Sequence, residues 1–523
     1  MTLMPEPEPR EPRRRRILFY VADQWRGDTM TAAGHPCVDT PNLDALAADG
    51  VTFRRHYSTT SPCGPARTSM LTGLYQMNHR VVRNGTPLDA RHTNIAYELR
   101  KAGIAPGMLG YTSNVPDPRV FSPHDPLFRD HHGVMQGFDA LAPGLPWNSA
   151  YMGWVEALGY DLPDDPEDFW LPAEGAAAPI VNAAPARFAA EHSPTAFLTD
   201  RAIDYLSVRR DQDWFMHVAA LAPHPPFIAP APYNTRFGPG DVPPPVREPS
   251  LEAASARHPL LAYLLRHTKQ IDYIRAGRGL VADLGEADIR QVRATYYGMI
   301  SETDHHFGEL VRYLKKTGQY DDTLIIFTSD HGEQLGDHWL LGKAGFFDSA
   351  YHIPLIIKAP GAAATRGSVV GDFTESIDVV PTILDWLGAE IPETWDGESL
   401  LPYLHGQTPP RPRDAIHYEH DFREVYSAAP QKALGLRMAQ CSLAAIRDER
   451  FKYIHFPTLP PLLFDLREDP HEMRNLAGDP AHAATVRDYA QRMLTWRMEH
   501  MERTLTGVQA GPEGLKSIRE PRR

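Results

Sequence analysis

The sequence predicts an α/β fold: a large mixed, mostly parallel sheet sandwiched by helices, followed by a smaller C-terminal α+β domain. Three observations lead there. Near-continuous apolar runs recur at 17–21, 214–219, 323–328 and 354–357, and strands apolar on every residue belong to sheets covered on both faces. Amphipathic stretches lie between them, such as 287–317, ending before Gly318, and 379–387, with Pro381 in its first turn and Gly388 at its stop. From about residue 410 the texture changes to short strands expected in 444–454 and 462–466, joined by charged turns, and a helix in 484–501.

A chain of 523 residues exceeds one ordinary domain. We expect an N-terminal extension over 1–15, a catalytic domain over 16–409 with an insertion at about 120–200, a C-terminal subdomain over 410–506 and a loose polar tail over 507–523. Hydrophobic residues make up 42% and charged residues 23%, a globular composition. The net charge of −13 makes nucleic acid a poor partner, so any anion must be met by a local positive site. Three cysteines, Cys37, Cys63 and Cys441, imply no disulfide framework. The first apolar run is too short for a signal peptide or a membrane span, and the expectation is a soluble cytoplasmic protein with no membrane partner.

Open α/β sheets place their sites at the carboxyl ends of strands. Asp23 and Gln24 follow the first run; Tyr111, Thr112 and Ser113 follow a run at 108–110; His224 follows the 214–219 run; Asp330 and His331 follow the 323–328 run. One such end is ordinary, and each residue alone has a bland reading as a turn or loop residue. Four ends carrying polar groups suggest a shared cleft. Cys63 opens a different element. Pro65 suits the first turn of a helix and Gly73 its stop. Cys63 then sits at the helix N-terminus with Arg67 one turn on, where both the helix end and the guanidinium favour an anion. A thiolate phosphatase needs a longer loop between Cys and Arg; here three residues intervene and one is Pro65.

The segment Cys63-Gly64-Pro65-Ala66-Arg67, continuing to Leu71-Thr72-Gly73, resembles the sulfatase signature in full. Asp23, Asp330-His331-Gly332 and the C-terminal Leu463-Phe464-Asp465-Leu466 also match the family, so the resemblance spans nearly the whole chain. It implies an alkaline-phosphatase-like fold and oxidation of Cys63 to formylglycine by a formylglycine-generating enzyme during maturation. The aldehyde hydrates to a diol; one hydroxyl attacks phosphorus or sulfur and the other expels the product. Two departures from ordinary sulfatases stand out. Gln24 replaces a second Asp, and Gly110-Tyr111-Thr112-Ser113 stands where a Lys and a His are usual. Both resemble the phosphonate monoester hydrolase branch, which also cleaves phosphodiesters and aryl sulfates.

The resemblance implies one divalent metal held by Asp23, Gln24, modified Cys63, Asp330 and His331. The substrate, a small anionic ester, would meet Arg67, Asn84, Tyr111, Thr112 or Ser113, His224 and Lys343. His224 or Lys343 would protonate the leaving group. An amide in place of a carboxylate and a nitrogen ligand both favour manganese, with zinc or iron next, over calcium. Relatives of this branch form homotetramers, which implies a homo-oligomer here. Competing readings are a dedicated arylsulfatase, a phosphatase or phosphomutase with an unmodified nucleophile, and an inactive ligand-binding scaffold.

Overall fold

The computed structural model describes residues 14–122, 124–173 and 181–517. Apart from Arg14 and Arg15, the expected N-terminal extension lies outside the described residues, as does 518–523 of the tail. The large sheet has nine strands. They are β1 (Arg16–Ala22), β2 (Val51–Tyr57), β4 (Pro106–Gly110), β5 (Asp139–Pro143), β6 (Trp214–Ala220), β7 (Thr323–Thr328), β8 (His352–Ile353), β9 (Leu355–Lys358) and β10 (Ser368–Glu375). The two-residue β3 (Thr60–Ser61) belongs to a second sheet. The order is β10-β2-β9-β7-β1-β6-β4-β5, with β8 beside β2. The run β7-β1-β6-β4-β5 is parallel throughout, and β9 turns antiparallel against β7 and β2.

Strand β1 shows why the fold is a sandwich. Its residues are buried from end to end, and alternate side chains enter two different cores. Leu18, Tyr20 and Ala22 pack with Val292, Tyr296 and Phe307 of the 31-residue helix Glu286–Lys316 and with Phe197 of the helix Pro194–Ser207. Ile17, Phe19 and Val21 pack on the other face with Met70 and Leu71 of the helix Cys63–Thr72 and Val380 and Ile383 of the helix Val379–Trp386.

The second sheet runs β14-β13-β12-β11-β3, with β11 (Ile416–Asp421), β12 (Ser442–Arg447), β13 (Phe451–His455) and β14 (Leu462–Asp465). Its first four strands are antiparallel neighbours, but β3 joins β11 in parallel, pairing Glu419 with Thr60 and His420 with Ser61. The helix Ala483–Glu499 covers this sheet through Tyr489, Met493 and Trp496. Lys452 of β13, fully buried, reaches Asp348 and Glu472 and ties the two sheets together.

Two regions read only coarsely from the sequence gain detail. The 120–200 segment supplies edge strand β5 and core residues Tyr151, Phe169 and Trp170. Strand β5 is a mostly exposed edge, rich in small residues and ending on Pro143, with no β-branched or aromatic residue to betray it. In the described part of the tail, β15 (Val508–Gly511) and β16 (Gly514–Ser517) form an antiparallel hairpin whose residues are all exposed.

The long helix carries a partly buried ionic cluster of its own residues that also reaches the Ala190 carbonyl. His306 bonds Glu309 at 2.7 Å, lies 3.4 Å from Glu302, and its other nitrogen faces Ala190 O at 3.2 Å. Burial alone would pull this imidazole down, but the two carboxylates raise it from 6.5 to about 10. Its contribution to stability is therefore complete below pH 6.5 and fades as pH rises towards 10. His306→Gln should cost about 3 kcal/mol at pH 6. The gap between variant and wild-type urea midpoints should narrow steadily between pH 7 and pH 9.5 (roughly the interval separating the two pKa values).

Candidate active site

Because β7, β1, β6 and β4 are parallel neighbours, their carboxyl ends open on one crevice. Asp23 leaves β1, Asp330 and His331 leave β7, His224 follows β6, and Tyr111 leaves β4. Gly110 is required before Tyr111: its φ is +90°, and a Cβ there would lie 2.3 Å from Ala219 O of β6. The helix Cys63–Thr72 points its N-terminus into the same crevice, ends on Gly73 at φ 63°, and is buried along its whole length.

Asp23, Cys63, Asp330 and His331 are all buried, and their ligand atoms lie within 4.8 Å of one another. The Cys63 sulfur is 3.2 Å from His331 Nε2 and 3.9 Å from Asp23 Oδ1. Arg67 spans the two carboxylates, with Nε donating to Asp330 and Nη2 to Asp23, both at 2.9 Å. Its Nη1 donates to Tyr111 O at 2.5 Å, and the guanidinium lies 4.2 Å over the Tyr111 ring. The Tyr111 hydroxyl donates to Asp23. Gln24 takes a left-handed φ of 65°; its main-chain N–H donates to Asp330 at 3.1 Å and its Oε1 accepts from Lys343 at 2.5 Å.

The charges follow from this packing. Burial, then the neighbouring Asp330, pushes Asp23 up. Burial opposes ionisation of Asp330 as well, but His331, Arg67 and the Gln24 N–H outweigh it and hold Asp330 below the usual carboxylate range. Burial lowers His331 to about 4, so its imidazole is neutral and able to offer a lone pair. Burial and Asp23 raise the Cys63 thiol to about 12, which disfavours a thiolate nucleophile here. Two carboxylates, a neutral imidazole and an amide oxygen form a donor set that suits one divalent cation.

Around this cluster the remaining sequence-derived residues divide. Asn84 accepts from Gly64 N–H at 2.8 Å, beside Cys63. The His224 Nδ1 faces the Pro225 carbonyl at 2.7 Å and must donate to it, which leaves Nε2 as the lone pair of a ring that burial keeps neutral. Thr112 and Ser113 differ in kind. Thr112 Oγ1 donates to Gly133 O at 3.0 Å and accepts from Met135 N–H at 2.6 Å, so it braces the 133–135 loop. The Ser113 hydroxyl is buried with no hydrogen-bond partner among the described residues, at a left-handed φ of 52°.

Two nearby residues escaped sequence reasoning. Glu333, fully buried, accepts from Gln24 Nε2; its place three residues after Asp330 was the available signal. His132 lies edge-on to Tyr111, 5.9 Å between ring centres, and is lowered to about 3 by burial and by His131. It sits in the segment of weak periodicity, where no pattern marks it.

Known proteins resemble this chain over most of its length. The sulfatase family model matches residues 15–389, and the model described as N-sulphoglucosamine sulphohydrolase, C-terminal, matches 336–499. The chain is 48% identical over 507 residues to the multifunctional alkaline phosphatase superfamily protein PehA of Trinickia caryophylli, covering 96% of this chain and 99% of that one. The phosphonate monoester hydrolase of Agrobacterium radiobacter superposes with a TM-score of 0.93 at 44% identity, covering 97% of this chain and all of the other (100%). Phosphonate monoester hydrolase SpPMH of Silicibacter pomeroyi superposes with a TM-score of 0.91 at 41% identity, covering 97% and 99%. With the family model matching well over half of its length, the chain belongs to the sulfatase family of the alkaline phosphatase superfamily.

Proposed function

We propose that the chain is a formylglycine- and metal-dependent hydrolase of phosphonate monoesters and phosphodiesters that also cleaves sulfate monoesters. The names of its relatives support this reading, and one observation carries it. The positive charge of Arg67 is taken up by Asp23 and Asp330, and the other polar groups gathered around the cluster are the uncharged Asn84, Tyr111, Ser113 and neutral His224 with a single ammonium, Lys343. Such a pocket favours esters with one negative charge over a phosphate monoester, which carries nearly two at neutral pH.

Asp23, Gln24, Asp330, His331 and modified Cys63 would hold the metal, with manganese favoured over zinc, iron or calcium. When bound, it supplies Lewis acidity that makes a hydroxyl nucleophilic at neutral pH. The chain's own residues do the rest. The helix N-terminus aims residue 63 at the substrate, and the Asn84 amide N–H and the Ser113 hydroxyl orient the non-bridging oxygens, while Tyr111, its O–H spent on Asp23 and its ring under Arg67, keeps that pair in place. Lys343 is the leaving-group acid in this reading. His224 spends its one N–H on Pro225, so in its neutral form it has no proton to give from Nε2. Cys63 is only 4% exposed, so a formylglycine-generating enzyme must meet the chain before folding closes over it. Free cysteines fit a cytoplasmic location, and no helix among the described residues is long and apolar enough to cross a membrane.

Oligomerisation into a homotetramer has a candidate surface. Leu494 (59%) and Met498 (66%) are exposed on the helix Ala483–Glu499, Met501 (64%) and Leu505 (74%) in the segment that follows it, and Leu515 (78%) on the C-terminal hairpin. A two-stranded hairpin is marginal alone, and a second copy of this chain would cover both.

Active enzyme from a host with the modifying machinery should show the aldehyde or its hydrate in the Cys63 peptide by mass spectrometry. Paired nitrophenyl esters should rank phosphodiester and phosphonate above sulfate, and all above the phosphate monoester. Cys63→Ala should lose about 10³-fold or more in kcat on each. An unmodified thiol in active enzyme, or sulfate as the preferred ester, overturns the reading.

Lys343→Ala should lose about 10²-fold on alkyl esters, whose leaving groups need a proton, and far less on nitrophenyl esters. His224→Ala should lower both by a similar factor. A chain ended at residue 506 should sediment as a smaller species than the full chain.

A further inference from the structure

We infer that Glu333 is a positioning residue that fixes which end of the Gln24 amide faces the metal site. This rests on the reading above that Gln24 is a metal ligand. A glutamine amide has two ends of nearly equal size, one an acceptor and the other a double donor. Only the oxygen can bind a cation, so a ligating glutamine needs something that decides its orientation. Ordinary carboxylate ligands do not face this problem.

Here both ends of the amide are decided. Glu333 Oε1 accepts from the main-chain N–H of Leu335 at 2.9 Å and of Gly342 at 2.6 Å, while Oε2 accepts from Gln24 Nε2. A carboxylate only accepts, so the amide nitrogen must point to Glu333. Oε1 then points away, to Lys343 Nζ at 2.5 Å, and an ammonium can only donate. The Gln24 main chain is pinned too, by Asp330 Oδ1 on its N–H (3.1 Å) and by the Tyr296 hydroxyl on its carbonyl (2.8 Å). The side chain therefore has one register. Glu333 and Gln24 are both fully buried, so water does not satisfy either end. The carboxylate that position 24 lacks thus stands one side chain further out. It draws the amide N–H and makes the oxygen a better donor to a cation.

Isosteric exchange separates this role from mere bracing of the loop. In Glu333→Gln, the new amide oxygen can still accept from Leu335 and Gly342, but its NH2 now faces Gln24. Either Gln24 turns, presenting its own NH2 to the metal site, or two NH2 groups confront each other. In the double exchange Gln24→Glu with Glu333→Gln, the pattern of donors and acceptors is restored in mirror sense, and an oxygen faces the metal site again.

Mn2+ added alone to metal-stripped full-length protein, in competition with a chromogenic chelator, reads the affinity without reference to turnover. Glu333→Gln should weaken binding by about 10-fold or more, and the double exchange should return it to within about threefold of wild type or better. Gln24→Ala serves as the control and should weaken binding at least as much as Glu333→Gln. If Gln24→Ala binds Mn2+ like wild type, the ligand reading fails and this inference with it. If Gln24→Ala weakens binding but Glu333→Gln does not, the inference alone fails. It also fails if both single variants are weak and the double exchange is no better than Glu333→Gln, since Glu333 would then act only through the loop.

Discussion

Asp23 and Asp330 emerge from adjacent parallel strands, and two carboxylates out of water cannot both stay ionised unless cations answer them. That constraint organises the centre of the molecule. Arg67 answers it with a fork whose spacing matches both acids, and Arg67 can do so only because the Cys63–Thr72 helix lies end-on to the crevice. The same helix placement brings residue 63 between Asp23 and His331. It also explains Gly64, where a Cβ would sit 3.0 Å from Asn84 Oδ1 and 3.1 Å from Ser113 O. The charge balance and the position of residue 63 are one piece of geometry.

Much of this was legible in the sequence because the relevant physics is local. Strands buried on both faces write continuous apolar runs, and residues just past such runs fall at sheet ends, which located Asp23, Asp330, His331 and Tyr111. Pro65 and Gly73 bracket a helix whose N-terminus is Cys63. What stayed hidden depends on partners distant in the chain. Strand β5 is an exposed edge with no pattern of its own. Thr112 and Ser113 have the same chemistry and neighbouring positions, and only the arrival of Gly133 and Met135 shows that Thr112 is spoken for. Glu333 looks like any loop acid until its amide partner, more than 300 residues earlier, is beside it. The exposed hairpin at 508–517 follows from pairing that composition does not disclose.

The second sheet is part of the site as well as its neighbour. Its edge strand β3, paired to Glu419 and His420, runs directly into Cys63. Ser61 donates to the Lys343 carbonyl at 2.9 Å and lies 3.4 Å from the Tyr351 hydroxyl and 3.2 Å from His420 Nδ1. Tyr351 in turn donates to Gly345 O and stacks on Tyr418 of β11 with ring centres 3.8 Å apart. The strand that leads into Cys63 and the loop that carries Lys343 are thus fastened to the same small sheet. Buried Lys452 holds that sheet against Asp348, five residues past Lys343. In the proposed mechanism a nucleophile at residue 63 and a leaving-group acid at Lys343 must face opposite sides of one reacting atom, and their separation tolerates little error. Fastening both to a common element is a way to set that separation without placing either on a flexible loop alone. On this view the large sheet sets the metal-binding charges, and the small sheet sets the distance over which they are used.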